Sequence, residues 1–95
     1  MGEVTDEERA AQREAALQAD LARLRQLNPR ATPARVQIYA DALADYRQAQ
    51  ANIAEYGTIV HHPRTGAPIT NPYLAIRDRA ADRLLKLDLK ATGLW

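Results

Sequence analysis

Two pairs of arginines stand one helical turn apart, Arg9 with Arg13 and Arg79 with Arg83, and a single Arg64 follows the adjacent His61 and His62. A guanidinium carries a permanent charge and a planar fork of donors, so arginines at i, i+4 on a helix suit phosphate or carboxylate partners. The same spacing also describes a solvated helix face or interchain ion pairs, and the sequence leaves these readings open. Arg64 likewise fits a contact to phosphate, a contact to a neighbouring subunit, or a solvated loop. His61 and His62 are poorly placed to share a metal, because adjacent residues on a strand point to opposite faces and no nearby Cys, Asp or Glu completes a set.

No metal site and no cofactor are expected, and no catalytic constellation is visible. The chain has no Gly-x-x-x-x-Gly-Lys-Ser/Thr loop, no acidic cluster spaced for two metals, and no Ser/His/Asp or Cys/His set. It reads as a non-enzyme.

The elements that would position these arginines are predominantly helical. Thr5 with Glu8 three residues on forms a capping box, and Asp6 and Glu7 lie where the helix dipole favours acids, so a first helix is expected over 5–27. Leu17, Leu21 and Leu24 give it a narrow apolar stripe, and Pro29 stops it. Thr32 followed by Pro33 starts a second helix expected over 33–56, with Gly57 suited to the left-handed position that closes it. Val36, Tyr39, Leu43, Tyr46 and Ile53 follow the 3-4 spacing of a seam between packed helices, with Gln50 in the gap and Ile38, Ala42 and Ala49 widening the stripe. A helix of that length is about 36 Å long, against a radius of gyration of about 13 Å for a compact chain of this size. The protomer is therefore expected to be elongated.

The stretch GTIVHHPRTGAPITNP interrupts the helices with a β-hairpin over 57–71, its turn placed at Pro63 to Gly66 as a type I turn. Asn71 before Pro72 repeats the cap-plus-proline signal. A third helix is expected over 72–91, with Ile76, Ala80, Leu84 and Leu87 on one stripe, followed by a tail over 92–95 that ends in Leu94 and Trp95. Leu94 and Trp95 suit either a docking contact to a partner protein or a fold back onto the third helix.

Composition sets the limits. The 95 residues read as one domain over 1–95, and 46% of them are hydrophobic, yet 19 are alanine, none is Phe and one is Trp, so real apolar mass is thin. Two-stranded sheets are marginal alone, so hairpin and helices both need covering, and identical protomers closing around a ring would supply it. Cysteine is absent, which excludes a disulfide framework and suits a reducing cytoplasm. No run approaches the roughly 18 apolar residues of a membrane span. The opening MGEVTDEERAAQ is acidic where a secretory leader is basic and then apolar. Thirteen basic against twelve acidic residues leave a net charge of +1, too little to mark a nucleic-acid binder by itself. Eleven of the thirteen are Arg, a bias that either phosphate recognition or a GC-rich genome produces.

From Tyr39 to Leu94 the chain resembles the core of bacteriophage terminase small subunits, found also in prophages and gene transfer agents. The resemblance lies in a Tyr-bearing helix, Gly57 with a short apolar strand, a turn containing Gly66, Asn71-Pro72, and a leucine-rich closing helix. It implies a mainly α fold of three helices with the hairpin between the second and third, and a non-catalytic homo-oligomeric ring of about eight to ten or more copies. It also implies engagement of double-stranded viral DNA in the cytoplasm of the bacterial host, and recruitment and stimulation of the terminase large subunit, which holds the ATPase and nuclease. Arg9, Arg13, Arg64, Arg79 and Arg83 are the candidate DNA contacts, and Leu94 and Trp95 the candidate large-subunit contacts.

Many members of that family carry a separate helix-turn-helix domain, and this chain offers only one long helix before Pro29. Weak DNA binding with low sequence specificity is the expectation, built from repeated phosphate contacts. A helical oligomeric adaptor or regulator without a DNA role is the other reading, to which the charge balance is kinder.

Overall fold

A computed structural model describes residues 5–95; the first four residues of the acidic opening stretch lie outside it. The chain runs α1 (Asp6–Leu27), α2 (Pro33–Tyr56), β1 (Ile59–His61), β2 (Pro68–Thr70) and α3 (Tyr73–Leu87). It is a mainly helical protein with an antiparallel hairpin between its second and third helices. Internal contacts divide it into two compact units. One holds the residues up to Asp41 with Leu89–Trp95, the other Ala42–Asp88.

In the first unit, the Thr5 hydroxyl accepts a hydrogen bond from the Glu8 amide at 3.1 Å and starts α1. Residues 5–16 are exposed throughout, and the helix first buries side chains at Asp20, Leu21 and Leu24. A helical stretch that covers nothing is marginal in water, so propensity and end effects alone hold these turns. Thr32 caps α2 by accepting from the Arg35 amide at 3.2 Å. Val36, Tyr39 and Ala40 of its opening turns are buried, as are Leu21 and Leu24 of α1.

The C-terminal segment is fixed to this unit by Asn28. Its side chain donates to the Lys90 carbonyl and accepts from the Lys90 amide, both at 2.8 Å, as a strand neighbour would. The same amide nitrogen also donates to the Leu24 carbonyl at 3.0 Å.

In the second unit, the remainder of α2 buries Ala42, Leu43 and Ala49, and α3 buries Ala80 and Leu84. Each fully buried leucine contributes about 1.5 to 3 kcal/mol by transfer from water. Gly57 closes α2 at φ +83, its amide donating to the Ile53 carbonyl at 2.8 Å. The hairpin pairs Ile59 with Thr70, Val60 with Ile69 and His61 with Pro68.

Hydrogen bonds from the Asn71 amide to the Thr58 carbonyl and from the His62 amide to the Ala67 carbonyl, each 2.8 Å, set the alternation of the ladder. The backbone groups of Ile59, His61, Pro68 and Thr70 accordingly face outward, and Pro68 brings no N–H to its edge. The turn departs from a type I turn over Pro63 to Gly66: the Gly66 amide donates to the carbonyl of His62 at 2.8 Å, one residue earlier, with Gly66 at φ +71. The wider loop is braced from within by Arg64 N–H to His62 Nδ1 at 3.1 Å and Ala67 N–H to Thr65 Oγ1 at 3.2 Å.

Asn71 joins the parts of this unit. Its side-chain nitrogen donates to Asn52 Oδ1 at 2.9 Å and to the Gly57 carbonyl at 2.8 Å, and its Oδ1 accepts from the Tyr73 amide at 3.0 Å. Pro72 is already helical at φ −62 and ψ −20, so Asn71 is the working N-cap of α3.

The third helix stops at Leu87, short of the 72–91 expected from the sequence. Asp88 takes the left-handed conformation at φ 50 and ψ 49, and its amide bonds back to the Leu84 carbonyl at 3.1 Å. Beyond it, both backbone groups of Lys90 are taken by Asn28 and cannot continue the helical ladder.

Candidate functional site

The five arginines singled out by their spacing are all exposed, and none of their guanidinium groups has an ion-pair partner among the described residues. Arg9 and Arg13 share a side of the α1 turns whose residues, 5–16, are all exposed. Arg64 sits in the hairpin loop, positioned by the bond from its amide to His62. His61 is exposed and His62 half-buried, and no group of three potential metal ligands stands together among the described residues.

Arg79 and Arg83 lie in a different setting. They line an open groove of about 370 Å³, with Asp45 and Gln48 of α2 on one side and Tyr73, Ile76 and Ala80 of α3 beside them. Along α3 the basic strip continues to Lys86, which is paired with Asp82 at 2.8 Å. The groove is thus lined by two arginines that make no ion pair among the described residues, one acid, Asp45, and the side chains of Gln48, Tyr73, Ile76 and Ala80. The sequence shows the i, i+4 spacing of the two arginines. The groove itself comes from Asp45 and Gln48, polar α2 residues that no periodicity singles out.

The seam residues divide. Val36, Tyr39, Leu43 and Leu84 are buried, Tyr46, Ile53 and Leu87 are half-buried, and Ile76 is 39% exposed. Ile76 lines the groove together with the polar Asp45 and Gln48 of α2. Other large apolar side chains also face water, among them Ile38, Tyr56, Ile59, Leu85 and Trp95.

Leu94 is half-buried. Trp95 remains 57% exposed while its indole N–H donates to the Tyr39 hydroxyl at 2.9 Å. The tail is therefore held against the start of α2, where the sequence had offered the third helix or a partner protein. Its turn is made by Gly93 at φ +82, with the Leu94 amide bonded to the Ala91 carbonyl at 3.0 Å.

The model of a protein family described as phage terminase, small subunit, matches residues 14–90. No curated protein and no solved structure matches the chain.

Proposed function

The chain belongs to the phage terminase small-subunit family, and on that premise we propose that it works as the ring-forming, non-catalytic partner of a large terminase ATPase-nuclease in the host cytoplasm. The family match over most of the chain carries the packaging role. Exposed apolar side chains support assembly: Ile38, Tyr56, Ile59, Leu85 and Trp95 all face water.

DNA is met through arginines that make no ion pair among the described residues. Arg9, Arg13 and Arg64 are the residues we assign to phosphate. A near-neutral protomer holds DNA weakly, and a ring repeats each contact, so affinity is built by repetition with little reading of bases. The exposed edge of Trp95, with Leu94, is the surface we assign to the large subunit.

Native mass spectrometry with a DNA-shift titration across a salt series tests this reading. The expected result is a closed oligomer whose DNA affinity falls linearly in log–log against salt, with each lost phosphate contact lowering the slope by about 0.9. Arg9→Gln with Arg13→Gln should flatten that slope and leave the copy number unchanged. A base-specific footprint that survives high salt would refute the weak, sequence-tolerant mode. The net charge of +1 favours the adaptor reading, which is adopted if the oligomer forms and never shifts DNA at low salt.

A further inference from the structure

Two exposed features of opposite charge stand out: the first three turns of α1, and the basic strip of α3, in which Arg79 and Arg83 make no ion pair among the described residues. From them we infer that α1 of one protomer docks along the Arg79–Arg83 groove of the next, a head-to-tail contact resting on the ring reading above. On α1, Glu7 and Glu14 are one heptad apart on the same side, about 10.5 Å along the axis. Ala10 and Ala11 lie between them in sequence, small enough for close approach. On α3, Arg79 and Lys86 span the same heptad, with Arg83 between them. Laid antiparallel, as helix dipoles prefer, Glu14 meets Arg79 and Glu7 meets Arg83 and Lys86.

Of the charged groups invoked, Lys86 is paired with Asp82 at 2.8 Å and the others make no ion pair among the described residues. Residues 5–16 are all exposed, and the guanidinium groups of Arg79 and Arg83 make no ion pair among the described residues. Glu14 accepts one hydrogen bond, from Gln18 at 2.9 Å, and is exposed. The groove favours a helix over phosphate for two reasons. Its lining includes Tyr73, Ile76 and Ala80, apolar surface that a nucleic-acid backbone would leave uncovered, and it is a groove between side chains of two helices, a shape that takes a third helix.

Segregation of charge on α1 agrees with this. At 100° per residue, Arg9 and Arg13 lie roughly 130° round the helix from Glu7 and Glu14, so a helix docked by its acids keeps its arginines free for DNA. Because the two surfaces differ, the contact is heterologous, the kind that closes a ring when the rotation allows.

Charge reversal tests the pairing. Arg79→Glu with Arg83→Glu, and separately Glu7→Arg with Glu14→Arg, should each raise the protomer concentration at half-assembly by about tenfold or more at low salt. Carried together in one chain, the four substitutions should restore assembly, read by native mass spectrometry, with far-UV circular dichroism confirming that every variant is folded. Folded reversals that leave assembly unchanged overturn this contact while the ring stands. So does a quadruple variant no better than either pair. An Arg79→Glu, Arg83→Glu variant that assembles normally and loses DNA would overturn it in favour of phosphate. A wild-type chain that stays monomeric at every dilution removes the ring reading, and this contact with it.

Discussion

Replacing Asn71 by Ala should loosen the second unit more than any other single polar change described above. The side chain is 2% exposed and makes three hydrogen bonds, to Asn52, to the Gly57 carbonyl and from the Tyr73 amide. Losing an N-cap acceptor costs about 1 kcal/mol. Each of the other two bonds is worth about 1 kcal/mol net, somewhat less at Gly57, whose surroundings are open to water, and somewhat more at the half-buried Asn52. The sum is about 3 kcal/mol.

With an m-value of about 1.5 kcal/mol/M, the urea midpoint should fall by about 2 M. The comparison must hold protomer concentration fixed, because unfolding is linked to assembly. Asn71→Ser keeps the cap and should recover about 1 kcal/mol of the loss, which separates capping from the two donated bonds. A midpoint shift below about 0.5 M for Asn71→Ala would refute the account of this residue as the joint between α2, the hairpin and α3.

Asn28→Ala removes the paired bonds to Lys90. The Lys90 amide should lose its hydrogen-exchange protection and Trp95 emission should move to the red as the tail leaves Tyr39; an unchanged spectrum would show that the tail is held by other contacts. Gly57→Ala should destabilise by about 1 to 2 kcal/mol in urea titration, because no atom lies within 4 Å of the added methyl and the cost is that of the left-handed backbone. Gly57→Asn should cost less, since Asn tolerates that conformation.

Features set by local chemistry were legible in the sequence. Thr5, Thr32 with Pro33, and Gly57 mark helix ends within a few residues of themselves, and the structure uses each of them as a cap. The left-handed stop at Asp88 was not legible, because Lys90 is held by Asn28, 62 residues away in the chain. Nor was the full work of Asn71. Its capping of α3 follows from the next residue, but the bonds to Asn52 and Gly57 exist only once the hairpin has folded back. On α2, Ala42 and Ala49 were read as part of the apolar stripe and are buried, whereas Ile38, read with them, is 46% exposed and the buried Ala40 was not singled out. For the candidate site, arginine spacing was visible and the groove was not, since the groove depends on which residues of α2 face α3.

The placement of Pro68 bears on how this protein avoids uncontrolled self-association. A growing cross-β stack needs a template that can be extended on both sides, and three-residue strands rich in Ile and Val are the sort of segment that seeds one. Here one flank of the ribbon keeps the donors of Ile59 and His61, while the other has a proline ring where a donor should be. Stacking copy upon copy is starved at that flank, and the exposed ribbon can be tolerated.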